Sequence, residues 1–398
     1  MLKTTLIAAA AAGFFALPLS AQTTWTVNAS GGAQFAAIAP AIAAAAPGDR
    51  IEVQGPGPYA AFVLGKGLDV EAVAGAVCAT IEVVGVPAGQ SARVAGFGID
   101  QQNNGFVSVR NCNGPVLLVA LGLAGTSWQV SVGNPGLQVL GSTNVFVDGC
   151  QFQGHAGSVG GVGVEIDGSR AVLVNCSIHG GVNVAGSGSV GNSGVSGVSV
   201  VNQGHAMLRA VLSQGGPSSS ASVVGGNGGD GVQAGSGVAL VLGGCDLRGM
   251  PGGWGPFIQG QPGEAARGNV RFTGDTLLTG ATSTATPIPS RPVLSTPPTT
   301  AIGSNYVLTV TGAANQFVFL GFDLAHDYVP LPQFDGALVL TPSTALFTVI
   351  GLDAAGNGSF GLGIPNTPAA LRRDLYAQGI ADVGGALVLT APAHTRTL

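Results

Sequence analysis

GLQVLGSTNVFVDGCQFQG at residues 136 to 154 and GVGVEIDGSRAVLVNCSIHG at 161 to 180 decide how this chain is read. Each is bounded by Gly and holds a short apolar run, a turn rich in Gly, Ser and Asn, and a second alternating run. The same pattern returns as GVSVVNQGHAMLRAVLSQG (197 to 215) and GVQAGSGVALVLGGCDLRG (231 to 249). A weaker copy, GFGIDQQNNGFVSVRNCNG, occupies 96 to 114. Side chains alternate across a strand, so each run has one apolar face, which a single copy cannot bury. A repeat of about 20 residues solves this by stacking copy on copy, each strand pairing with its equivalent in the next coil. The expected fold is therefore all-β: a right-handed parallel β-helix solenoid.

The repeat also assigns faces. Counting back from the closing Gly, the fourth position is Cys150, Cys176, Val211 and Cys245, and the second is Phe152, Ile178, Ser213 and Leu247. These two rows point inward. The intervening rows point outward: Gln151, Ser177, Leu212 and Asp246, and then Gln153, His179, Gln214 and Arg248. Between copies, 155–160, 181–196 and 216–230 read as Gly-, Ser- and Val-rich loops projecting from one edge, insertions that leave the stacking register untouched.

Composition fits a stacked core. The chain has 398 residues with 67 Gly, 46% hydrophobic and only 8% charged residues, and a mean hydropathy of +0.45. Beyond the N-terminus no apolar run reaches the 18 or so residues that a spanning helix needs, so no membrane span is expected. Residues 1–21 combine Lys3, the apolar run Leu6 to Phe15 and the small-residue end Pro18 to Ala21. That is the layout of a secretory signal peptide, which predicts an extracellular, cell-surface or periplasmic location. Without it the chain carries 13 basic against 19 acidic residues, a net −6 that does not suit nucleic acid. Five cysteines are too few to staple a chain this long. Cys150 and Cys176 fall on adjacent coils about 4.8 Å apart, compatible either with a disulfide or with two free thiols packed as small hydrophobes.

Trp25-Thr-Val27, an Ala-rich helix from Phe35 to Ala46, Pro47-Gly-Asp-Arg-Ile-Glu-Val53, Gly57-Pro-Tyr59 and Lys66-Gly-Leu68 precede the repeats. Together with them, over roughly 23 to 280, this opening resembles the pectin lyase-like β-helix superfamily. The resemblance implies that the helix caps the first coil, and that the reactions to look for are those of polysaccharide lyases and glycoside hydrolases. After the β-helix (22–280), the stretch ATSTATPIPSRPVLSTPPTTA at 281–301 reads as an extended linker. Residues 302–398 follow, with alternating runs at 306–310, 317–322, 337–340 and 345–350 that predict a small antiparallel β-sandwich. Its last part, from Ile364-Pro-Asn-Thr-Pro368 to Leu375-Tyr-Ala-Gln378, resembles a C-terminal module of many secreted bacterial proteins.

The chemistry is sparse. Lyases of the resembled superfamily gather acidic residues around calcium with an Arg or Lys as base, and its hydrolases gather several Asp. Here Asp148, Asp167 and Asp246 are the catalytic candidates, standing singly, and calcium enters only under the lyase alternative. His179-Gly180 lacks the Asp neighbours of a hydrolase motif, His155 and His205 are expected in turns, and no Cys or His spacing suggests a metal. The outward stripe of Gln151, Gln153, His179, Gln214 and Arg248 offers amides and a guanidinium to hydroxyls or carboxylates, although a solvated strand face requires polar residues in any case. The expected function is a non-catalytic secreted or cell-surface protein binding a polysaccharide or cell-surface glycan. The alternative is a polysaccharide lyase or glycoside hydrolase.

Overall fold

The computed structural model describes residues 22–73, 75–124, 130–183, 191–220, 223–331, 334, 336–341 and 345–398. The expected signal peptide, 1–21, lies outside them. The described chain divides into two units, 22–288 and 289–398. It is all-β, with a large parallel sheet and smaller antiparallel ones.

In the first unit every strand pairing is parallel. One ladder runs Thr24–Val27, Arg50–Val53, Asp69–Ala72, Ala92–Ala95, Val116–Val119, Val145–Asp148, Arg170–Val174 and His205–Arg209. A second runs Phe62–Leu64, Ile81–Val84, Val107–Arg110, Leu137–Leu140, Val164–Asp167 and Val198–Val201. Both ladders meet in the long strands Val232–Val241 and Ala266–Thr273. A third takes Gln151–Gln153, Ser177–His179, Leu212–Gln214, Asp246–Arg248 and Leu277–Thr279. Alternate side chains of all three sets form one continuous apolar core. Each large apolar residue buried this way contributes roughly 1.5–3 kcal/mol.

Several of the sequence expectations need correction. The copies at 136–154, 161–180 and 197–215 hold three strands where two were expected, because the second alternating run is broken by a residue in the left-handed region: Gly149 at φ 62°, Asn175 at 54° and Ala210 at 49°. The copy at 231–249 keeps two, Val232–Val241 and Asp246–Arg248. The weak copy at 96–114 is out of phase with the others. Its first strand, Gly98–Asp100, pairs with Val77–Cys78 and Gly122–Ala124, and only its second joins the ladder of Leu137–Leu140. Finally, 281–301 is not a free linker. Thr282–Ser283 and Thr286–Ile288 extend the parallel pairing of Ala266–Thr273, while Val293–Ser295 and Thr299–Thr300 pair within the second unit. Proline and threonine in extended backbone serve edge strands as readily as linkers.

Near the start, Ile38–Ala44 forms a seven-residue helix, shorter than the 35–46 expected, that buries Ile38, Ala41 and Ile42. Phe35 is held instead in a bridge to Val27. The second unit has its own core and is antiparallel apart from one short pair. Phe317–Asp323 lies between Leu346–Gly351 and Asp374–Val383, and Asn305–Thr311 pairs with Asn357–Gly363. Asn305–Thr311 buries Tyr306, Leu308 and Val310 and exposes the residues between them.

Of the segments expected as loops, 184–190 and 221–222 lie outside the described residues; the described parts are tied together by backbone hydrogen bonds. Gly161 N–H donates to His155 O and Gly181 N–H to Gly161 O. Gly216, Gly229, Met250 and Gly263 then link 195, 216, 229 and 250 in turn. Glycine is obligatory in such layers because a neighbouring chain occupies the space of a side chain. A Cβ on Gly154 would lie 1.8 Å from Gly161 O, and one on Gly263 2.0 Å from Gly229 O.

Candidate functional site

The strand Gln151–Gln153 and its four partners place the stripe. Register sets Gln153 beside His179, His179 beside Gln214 and Gln214 beside Arg248, with Gln151, Ser177, Leu212 and Asp246 as a second row. The rows between them are buried: Phe152, Ile178, Ser213 and Leu247, and likewise Cys150, Cys176, Val211 and Cys245. The buried Ser213 hydroxyl donates to Gly231 O at 2.7 Å, which satisfies it within the apolar row.

The stripe's own bonds tune it. His179 Nε2 lies 3.1 Å from Ser177 Oγ. Burial pushes the imidazole below its usual range; Gln214 opposes that shift and the charge of Arg248 adds to it. At neutral pH His179 is therefore an uncharged hydrogen-bonding group. Gln214 Nε2 donates to Met250 Sδ at 2.9 Å. Arg248 is exposed and ion-paired with Asp246, two residues earlier on the same strand face.

The catalytic candidates are not brought together. Asp148, Asp167 and Asp246 sit on three different ladders. Asp148 is buried and accepts from Asn175 Nδ2 at 2.9 Å, and Asp167 accepts from Asn202 Nδ2 at 2.8 Å. Both donors are left-handed turn residues one coil further on, so these acids brace turns across the stack. Among the described residues no group of three or more His, Cys, Asp or Glu could hold a metal ion. His155 is buried with Nδ1 3.2 Å from Asn134 O, and burial lowers its pKa. His205, expected in a turn, begins the strand His205–Arg209, and burial together with Arg170 lowers its pKa.

All five cysteines are buried free thiols; Cys150 and Cys176 are adjacent and unbonded. Cys150 Sγ donates to Asp148 O at 3.4 Å and Cys176 Sγ to Val174 O at 3.1 Å. Burial pushes Cys78, Cys176 and Cys245 up to about 12 and Cys150 well above its usual range.

Two polar groupings escaped the sequence reading. Arg50, Asp69 and Arg93 stack in register, with Glu52 and Glu71 beside them. Arg50 pairs with Glu71 at 2.6 Å and Arg93 with Asp69 at 2.9 Å. On the second ladder, Glu82, Ser108, Gln138, Glu165 and Ser199 stack in register, Ser108 buried among them, and Gln138 Nε2 donates to Glu165 at 2.7 Å. A signal for the first existed: charged residues alternate in Arg50-Ile-Glu52 and Asp69-Val-Glu71, 19 residues apart, the length of the later repeats.

No protein-family model matches the chain, and no curated protein matches it. Among solved structures, a superoxide reductase (neelaredoxin) from Ignicoccus hospitalis is similar at 14% identity over 27% of this chain and 80% of that one, with a TM-score of 0.17. A score that low carries no argument about fold or activity. No helix among the described residues is long and apolar enough to cross a membrane.

Proposed function

We propose that the chain is a secreted or cell-surface right-handed parallel β-helix of the pectin lyase-like kind, with its short helix covering the first coil and a β-sandwich module at its C-terminus. On this reading it is non-catalytic and binds a polysaccharide or surface glycan along the outward stripe. The observation that carries this reading is the in-register row of Gln153, His179, Gln214 and Arg248 on successive parallel strands. Strands about 4.8 Å apart present donors and acceptors at regular intervals to an extended chain of hydroxyls. The neutral His179 and the Asp246-paired Arg248 soften the stripe's charge, which suits hydroxyl recognition better than capture of a strongly anionic polymer.

Replacing Gln153, His179 and Arg248 together with Ala tests it by affinity electrophoresis against a panel of neutral and acidic polysaccharides. Three lost hydrogen-bonding groups predict at least about tenfold weaker retention; unchanged retention sinks the reading. Release of unsaturated or reducing ends from any polysaccharide, abolished by Asp148→Asn, Asp167→Asn or Asp246→Asn, would instead establish the lyase or hydrolase alternative.

A further inference from the structure

The last of the glycine-rich excursions, 249–264, carries exposed apolar side chains. Trp254 is 65% exposed, Phe257 80% and Ile258 57%. An exposed cluster of this kind marks a contact surface, since water disfavours it and single scattered apolar residues would suffice for packing statistics.

Three observations define the partner. First, the backbone of the tip is hydrogen-bonded to its neighbours. Phe257 and Ile258 N–H both donate to Val223 O, Gly225 N–H donates to Ile258 O, and Gly253 N–H donates to Gly226 O. Trp254 N–H reaches Ser220 Oγ at 3.3 Å. Glycines three apart, Gly226 and Gly229 facing Gly260 and Gly263, let these backbones approach so closely that a Cβ on Gly260 would lie 1.9 Å from Gly226 O. A three-residue period is what an extended threefold chain needs to keep one bare edge toward a neighbour. These bonds tie the backbone that carries the three exposed side chains to the layers behind it. Second, the tip is uncharged. No Asp, Glu, Lys or Arg occurs in 249–263, nor in the segments 180–204 and 215–229, whose described residues contribute the layers behind it. Third, the side chains combine an indole, which favours the boundary between water and hydrocarbon, with a phenyl and a branched alkyl group, which favour hydrocarbon. A sugar ring stacking on an aromatic face would leave Ile258 unused, whereas a bilayer takes all three.

We propose that the tip at Trp254, Phe257 and Ile258 is a peripheral membrane contact that inserts into the interface of an electrically neutral lipid bilayer. Binding of this type scales with the apolar area buried and carries no ionic attraction, so it is insensitive to salt.

The test is cosedimentation of the full chain with phosphatidylcholine vesicles, alongside Trp254→Ser/Phe257→Ser/Ile258→Ser. The substituted side chains are exposed, so folding is not at stake, and residues 1–21 are common to both proteins. Expected are vesicle binding unchanged between low and high salt, a blue shift of tryptophan emission on binding, and at least about tenfold weaker partitioning of the triple variant. A second variant, Phe317→Ser/Phe319→Ser, removes exposed apolar residues of the other unit and is expected to bind like the unaltered chain. The proposal is overturned if the unaltered chain does not bind these vesicles, if the triple variant binds equally, if binding requires anionic lipid and vanishes in salt, or if Phe317→Ser/Phe319→Ser abolishes it. Retention on a neutral polysaccharide, or self-association, that depends on Trp254 without vesicle binding overturns it too.

Discussion

Gly154 and Gly235 show how one residue type serves two purposes. Gly235 has open space around it, while a Cβ at Gly154 would collide with the backbone of Gly161. Gly154→Ala should therefore lower stability by about 1–3 kcal/mol, as overpacking does, with Gly235→Ala near neutral; chemical denaturation of the two variants reads the contrast. The cysteines follow from burial in the same way. Thiols raised to about 12 are protonated at pH 8, and the thiol is not the nucleophile. All five cysteines are in addition buried away from the reagent, so alkylation at pH 8 should leave them unmodified in the native chain and label five after denaturation. Fewer than five would reveal a bonded pair. The inward and outward rows around Cys150 and Phe152 were readable residue by residue, because the alternation of a strand and the closing Gly fix which side chains share a face. The turn-bracing role of Asp148 and Asp167 was not readable: their partners, Asn175 and Asn202, lie 27 and 35 residues ahead, and only stacking brings them close.

At the scale of elements, the first strand is secured through a turn. Asp49 accepts from Trp25 Nε1 at 3.0 Å, from Ala46 N–H at 2.8 Å and from Thr23 N–H at 3.0 Å. The Trp25 bond holds its carboxyl below the usual range; burial opposes this and the two amides add to it. A carboxyl lowered on folding contributes stability that is present above its unfolded value of 3.8 and is lost as pH falls through the folded value. The stability gap between the unaltered chain and Asp49→Asn should thus be full at pH 6 and close progressively below pH 3.8, which acid titration of unfolding at several pH values measures. The number of strands per repeat and the phase of the 96–114 copy were misread at this scale. Periodicity reports that a pattern recurs, but a left-handed residue such as Asn175 or Ala210 leaves no apolar signature to mark where a strand breaks.

At the scale of the whole molecule, the two units have separate cores. A chain of residues 289–398 should fold alone, with an antiparallel β circular-dichroism spectrum and one cooperative unfolding transition; an aggregated or unfolded fragment would contradict the division. What the amino-acid order determined by itself was the parallel stacking of a repeat near 19 residues, its buried Cys and Phe rows, its outward polar rows, and a distinct second unit. Those are local properties, set by side-chain period and by where glycine closes each copy. Only the tertiary structure decided that Arg50, Asp69 and Arg93 form one ion-pair network, that the three candidate acids stay apart, and that the glycine-rich excursions lock into layers holding Trp254 in solvent. Each of these depends on which coil lies beside which, and that is settled by hydrogen bonds between residues of different coils, not by anything within a single repeat.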